Sequence, residues 1–442
     1  MPDVSSYNGI DVGNIASING QDVPSGGGGA FNPVTGEGTY TETTPTSGLI
    51  KYGGVSKGTN PETADSLVTH SYGSRSVINI QSDVNGKYQV VAESKSDFVH
   101  ITYGRYSAFG ITASGQMWEI GSSSSYLEGS VTTTFQQVTG VGDSDTGWTD
   151  VSSSYDGALA INSGKLYYIG ANTYGHAGTG NQSHSYSSFT QVGSDTDWQA
   201  VQRCRQWSMA TKTSSNVLYT CGRNFNYQTG LDTSSGNTTS WTAINDDNFT
   251  NTDVSFLGGG YDGGILIRSN GECYGWGDED NNERFGLNSS SNVQKPTAIG
   301  SVGGSIATDW ATGALANRCC MLINTSGELF FTGEGGYYVR GDGTSTDAKD
   351  GNFVQVGTDT DFEKVMFDGS GQNTSVAMLS IVQKGSKLYA SGYNKYGNIL
   401  DNASDVVQTR ALINPNNLAS GNVWTVCHNN AIYTQQFVAA IY

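Results

Sequence analysis

The chain has 442 residues, with 22 Lys+Arg against 40 Asp+Glu and a formal net charge of −18 at pH 7. Nucleic-acid affinity comes largely from Lys and Arg displacing counterions from phosphate, so this balance argues against DNA or RNA and against anionic membrane surfaces. The 60 glycines and 24 tyrosines favour strands and turns over helices, and no run approaches the roughly 20 apolar residues of a membrane-spanning helix.

The N-terminus, MPDVSSYNGI, lacks a basic stretch followed by an apolar one, so no signal peptide is expected,. Residues 1–45 read as an extended arm. Ile10, Val12, Ile15, Ile18 and Val23 form an apolar series too sparse for a core, and Gly26–Gly29 make a flexible hinge,. These five residues are the candidate attachment points, because such an arm cannot bury itself alone. The segment Asn14-Ile15-Ala16-Ser17-Ile18-Asn19-Gly20 is similar to the attachment segments of tailed-phage virion proteins, particularly those of marine cyanobacterial phages.

From residue 46 onward the chain repeats itself. Val141-Gly142-Asp143-Ser144-Asp145-Thr146-Gly147-Trp148 returns as Val192-Gly193-Ser194-Asp195-Thr196-Asp197-Trp198, and again as Val356-Gly357-Thr358-Asp359-Thr360-Asp361-Phe362. Weaker copies at Phe98, Val254, Trp310 and Trp424 bring the landmarks to seven, roughly fifty to sixty residues apart,. Each is followed by a short apolar run, a Ser-Gly or Asn-Gly turn, and Leu or Val before an aromatic, as in Ala158–Gly170 and Met321–Gly333. That is a hairpin signal. With one strand before it and one after, each unit predicts four short strands, and radial repetition of such units makes a propeller.

The last unit is cut short at Phe437–Tyr442, and its missing half reads near the start. Ser47-Gly48-Leu49-Ile50-Lys51-Tyr52-Gly53 matches the Ser163–Gly170 pattern, and Ser76–Ile80 supplies an outer strand. The expectation is an all-β, seven-bladed β-propeller over 46–442. Blade 7 would be a composite of 48–82 and 418–442 that removes the open edges of a linear array.

The motifs Tyr274-Gly275-Trp276-Gly277, Asn172-Thr173-Tyr174-Gly175 and Asn394-Lys395-Tyr396-Gly397 resemble the regulator-of-chromosome-condensation family of seven-bladed propellers. The resemblance spans residues 48–442 and implies the fold. It leaves function open, since this scaffold hosts exchange factors, inhibitors and structural proteins. The chromatin role of nuclear members needs basic surfaces that this chain lacks.

No residue set in the sequence reads as catalytic. Asp145, Asp195 and Asp359 recur in register and read as turn residues. Asp278-Glu279-Asp280 and Arg340-Gly341-Asp342-Gly343 break register, but without the alternating oxygen ligands of a calcium loop they read as solvated loops. His100 and His428 fall on inner strands and read as inter-blade packing, and none of the five histidines is spaced for a metal. Cys204, Cys221, Cys273, Cys319, Cys320 and Cys427 show no C-x-x-C pair and read as reduced, buried thiols. No cofactor or metal is expected.

The expected function is that of a non-enzymatic virion structural protein of a tailed phage, assembled in the host cytoplasm and present in several copies. The arm would dock on other virion proteins, while the propeller serves decoration, assembly or adhesion to a host glycan or protein. The alternatives are a free protein-binding propeller, as inhibitor or scaffold, and a virion-associated polysaccharide-degrading enzyme.

Overall fold

The computed structural model describes residues 98–368, with breaks at 104–106, 122–126, 130–131, 155, 183, 215–216, 235, 245–253 and 280–282, and then the strands Leu379–Lys384, Lys387–Tyr393 and Val406–Leu412. Outside that span only the backbone pairing of short strands is described. Six sheets of four antiparallel strands, each in sequence order, follow one another along the chain. We number them blades 1–6 by their first strands: Phe98–Tyr103, Trp148–Ser154, Trp198–Arg203, Val254–Gly259, Trp310–Leu315 and Phe362–Asp368. First strands of successive blades touch one another, so they line the axis of a propeller. A single 3-10 turn at Gly336–Tyr338 is the helical element among the described residues, and no helix there is long and apolar enough to cross a membrane.

The expected count of seven four-stranded blades is corrected to six. The remaining sheet has five strands and joins the two ends of the chain. Phe437–Ile441 pairs antiparallel with Leu49–Gly53, as the truncated repeat predicts. The next strand is Gln89–Glu93, not Ser76–Ile80, and Ile78–Asn79 is left at the edge. Gln89-Val90-Val91-Ala92-Glu93 offers a full five-residue partner for Leu49–Gly53 with β-branched residues at its centre, so it takes the inner place,. In the arm, two short hairpins pair Ser6–Tyr7 with Ile10–Asp11 and Ser17–Ile18 with Gln21–Asp22. The side chains of Ile10, Val12, Ile15, Ile18 and Val23 lie outside the described residues.

Inside a blade the sequence logic is direct. In blade 2, Gly157–Asn162 and Lys165–Gly170 are linked by Ser163 and Gly164, with φ of 52° and 79°. Positive φ at both positions is the tight hairpin turn whose twist matches the strands. Burial of Gly157–Asn162 on every residue shows why the run is apolar and small throughout: both faces pack on neighbouring blades,. Three first strands open on a tryptophan that stacks on rings of its own blade, and Trp148 and Trp198 also join core clusters with residues of the preceding blade. Trp148 lies 5.6 Å from both Tyr167 and Phe189, Trp198 sits 5.3 Å from Trp241, and Trp310 sits 5.2 Å from Phe330.

The hairpin glycine also joins blades. Backbone N–H groups of Trp148, Trp198, Trp310 and Phe362 donate to the carbonyls of Gly115, Gly164, Gly271 and Gly327 in the preceding blade, at 2.9–3.1 Å. This explains why a Gly turn and an aromatic landmark recur together in the sequence.

Candidate interaction face

The propeller has a hairpin face, carrying the turns between second and third strands, and a loop face, carrying the long connections between third and fourth strands. On the loop face the connections of blades 2 and 3 close alike. Asn172 Oδ1 accepts from Ala177 N–H at 2.8 Å, and Asn224 Oδ1 from Thr229 N–H at 3.1 Å, closing the loop base. A left-handed residue follows: Gly175 (φ 78°) in blade 2, Tyr227 (60°) in blade 3, Glu283 (49°) in blade 4 and Tyr338 (62°) in blade 5. Next to it, carbonyls are gripped by the following blade. Ser208 Oγ donates to His176 O at 2.7 Å, Trp276 Nε1 to Gln228 O at 2.8 Å, Thr332 Oγ1 to Glu283 O at 3.1 Å and Ser380 Oγ to Val339 O at 2.6 Å. The loops are therefore fixed at their bases. Their tips expose Phe225 (53%) and Tyr337 (39%), two of the four large apolar side chains most open to solvent among the described residues.

Charges at this face are turned inward. Arg203, fully buried, donates to Asp156 Oδ1 at 2.5 Å and to Trp207 O at 3.0 Å. Burial pushes the Asp156 carboxyl up to about 6 against the pull of Arg203 and Arg205, and the same burial holds His176 well below its usual value,. The Arg205 guanidinium lies 4.0 Å over the Tyr261 ring. Gln228 Nε2 donates to Asp262 Oδ1 at 2.7 Å, with Arg223 at 3.7 Å from the same oxygen. Glu279 takes the place that Asn172 and Asn224 hold in other blades, and burial raises its carboxyl to about 7.

Glu119, whose oxygens accept from Glu128 N–H and Gly129 N–H at 2.8 and 2.6 Å, is likewise pushed to about 7 by burial. Raised carboxyls suit acid–base chemistry only where they meet a substrate cavity. These three are spread over blades 1, 2 and 4 and serve loop bases. The open pocket of about 720 Å³ lies between blades 5 and 6 on the hairpin face, lined by Asn324, Asp361, Phe362, Glu363, Lys384 and Tyr389 among others, and contains none of them.

The fold has known counterparts. Human WBSCR16 superposes with a TM-score of 0.66 at 15% identity, covering 89% of this chain and 98% of that one. Prp20p from Saccharomyces cerevisiae, the yeast RCC1, gives 0.62 at 11% identity, covering 91% and 92%. The fold is RCC1-like. At such identities the likeness concerns architecture alone, and no family model and no curated protein matches the sequence.

The sequence-predicted residues fall as follows. Asp195 bridges Lys212 at 2.5 Å, Asp359 bridges Lys384 at 2.8 Å, and Asp145 Oδ1 accepts from Gly140 N–H at 2.8 Å, so all three are turn and seam residues of the hairpin face. His100 Nε2 meets Val151 O at 2.7 Å in the next blade, the packing role expected of it, while His428 lies outside the described residues. Five cysteines are free and buried, and Cys427 lies outside the described residues. Arg340 and Asp342 pair at 2.8 Å. Sequence reading missed Phe225, Tyr227, Tyr337 and Tyr338. Their signal was present: Asn224-Phe225-Asn226-Tyr227 aligns with Asn172-Thr173-Tyr174-Gly175 and replaces the glycine with tyrosine.

Proposed function

We propose that the chain is a non-enzymatic protein-binding propeller that offers its loop face to the partner. Phe225 and Tyr337, exposed on loops clamped at their bases by inter-blade hydrogen bonds, carry this reading. Aromatic side chains on rigid loops bury much area at little entropic cost, which is what binding hot spots require. Tyrosine at the left-handed positions 227 and 338 supports it, because such a backbone costs about 1–2 kcal/mol outside glycine and persists where the side chain serves a purpose. The fold relative Prp20p is described with binding to Gsp1p and histones, a precedent for protein binding on this scaffold.

In this reading the five-stranded sheet serves as the seventh blade and closes the ring. Docking of residues 1–45 on a phage particle is a separate proposal, resting on the arm's sequence, and mass spectrometry of purified particles tests it. For the loop face, a photo-crosslinking residue is placed at Phe225 or at Asp359 on the opposite face, in cells that make the protein. A discrete protein adduct from position 225 alone is expected. Equal adducts from both positions, or none, would remove the loop face from the function.

A further inference from the structure

The first strands of all six blades share one irregularity: pairing with the second strand slips between the first and third residues, as at Phe98/His100, Trp148/Asp150 and Trp198/Ala200. Such a bulge re-aims a side chain. In blades 3–6 the third place is held by Ala200, Phe256, Thr312 and Lys364, whereas in blades 1 and 2 it is held by His100 and Asp150.

These two side chains meet. His100 Nε2 lies 3.7 Å from Asp150 Oδ1 and 2.7 Å from Val151 O. A carbonyl only accepts, so Nε2 carries a proton and donates to Val151 O, which leaves Nδ1 as the nitrogen that titrates. Asp150 Oδ1 also accepts from Val151 N–H at 2.9 Å, and Oδ2 from Val201 N–H of blade 3 at 2.8 Å. One carboxylate thus joins three blades at the hairpin-face end of their inner strands. The first strand of blade 1 in turn packs on Phe437–Ile441 of the closing sheet. The side chains of His100 and Asp150 are 24% and 20% exposed, so protons reach them while water only partly screens the pair,.

The pair stands apart from other charges. Of the strands packed against it, Ser107–Thr112, Gly157–Asn162 and Phe437–Ile441 hold no titratable residue. Arg203 of Trp198–Arg203 stands at the opposite end, bonded to Asp156, and Tyr103 ends its own strand there. On the neighbouring turns Lys165 pairs with Asp143. Burial pushes the Asp150 carboxyl above its usual value, and His100 is the largest influence in the other direction.

We propose that His100 and Asp150 form a pH-sensitive latch that ties blade 1 to blades 2 and 3, tight while the imidazole is protonated and slack once it is neutral. Imidazole is the side chain whose ordinary titration falls between pH 5 and 8. Its cation supports the charged acceptor of Val201. As pH rises that support is lost, and a desolvated carboxylate is left without a counter-charge. The latch is independent of the loop-face reading.

The test is amide hydrogen exchange followed by NMR on the full chain, at about pH 5.5 and about pH 8, with each rate divided by its intrinsic value. Trp198 N–H, donated to Gly164 O in the same seam without a carboxylate, is the reference. The ratio of Val201 to Trp198 protection should fall about two- to fivefold from the lower pH to the higher, the size expected of a partly exposed pair. His100→Gln and Asp150→Asn should each hold the ratio constant, since one removes the titrating ring and the other keeps an acceptor without its charge. Circular dichroism confirms that each variant is folded, and His100→Asn is a second probe of the same ring.

A parent ratio that does not change with pH would overturn the proposal, whether or not the variants fold. A change that persists in a folded His100 or Asp150 variant would assign the effect to other groups and overturn it equally.

Discussion

Gly164 is held by two independent demands. Its φ of 79° is one that side chains adopt at a cost, and a Cβ there would lie 2.2 Å from Thr196 O of the next blade, a backbone atom that cannot swing away,. Gly164→Ala is expected to cost more than about 2 kcal/mol in a denaturant titration, since it strains the turn and pushes two blades apart. The left-handed positions of the loop face behave differently. At Gly175 an added Cβ would stand 2.8 Å from Thr239 Cα, so glycine is required for space as well as conformation. At Tyr227 the same backbone carries a half-buried ring. Tyr227→Gly is therefore expected to leave stability within about 1 kcal/mol of the parent, the relieved strain offsetting lost contacts and the greater freedom of the unfolded chain. A loss several times larger would show the ring to be a packing residue.

At the scale of the blade, the repeat was legible because its spacing reflects seams. The aromatic landmarks Trp148, Trp198, Trp310 and Phe362 and the glycines at 115, 164, 271 and 327 are partners across those seams, and tryptophan, with eight in the chain, is rare enough to mark the spacing. The loop face was not legible, because its meaning lies in a departure from the repeat. Tyr227 and Tyr338 look unremarkable among 24 tyrosines until the left-handed backbone is seen. The strand Gln89–Glu93 was also missed, since a five-residue run competes with many similar ones and only pairing with Leu49–Gly53 selects it,.

The hairpin-face acids belong to this scale too. Lys384 lies between Asp359 and Asp361 at 2.8 and 2.9 Å and 5.1 Å from the Phe362 ring, and Lys212 repeats the arrangement with Asp195 and Trp198. Asp195 and Asp359 are themselves 54% and 57% exposed. Asp195→Asn and Asp359→Asn should each cost no more than about 1 kcal/mol, as exposed ion pairs do, and leave partner binding intact. Loss of binding in a folded variant would move the interaction to the hairpin face.

For the whole molecule, buried carboxyls set the response to pH. Glu119 and Glu279 are raised from 4.5 to about 7, and Asp156 from 3.8 to about 6. A group whose folded value exceeds its unfolded one keeps its proton better in the fold. Its stabilising contribution is thus full below the unfolded value and lost as pH rises through the folded one. His176, lowered by burial, acts oppositely and costs stability as pH falls below 6.5. With three groups against one, the melting temperature should fall between pH 5.5 and 8, and a rise over that range would contradict the buried assignments.

Ring closure makes its own prediction. Deleting residues 424–442 removes the partner of Leu49–Gly53 and exposes a sheet edge, so the shortened chain should melt earlier and self-associate,. A monomer with unchanged melting temperature would separate closure from that sheet. The same pairing also orders events in time. Each of the six blades draws its four strands from one continuous stretch and can form as soon as that stretch is synthesised,. Leu49–Gly53 must wait for Phe437–Ile441, a delay of roughly 20 to 80 s at ordinary translation rates,. Throughout that interval the nascent propeller carries an open strand edge, the kind of surface that chaperones shield, and ribosome pausing near the C-terminus would lengthen the exposure.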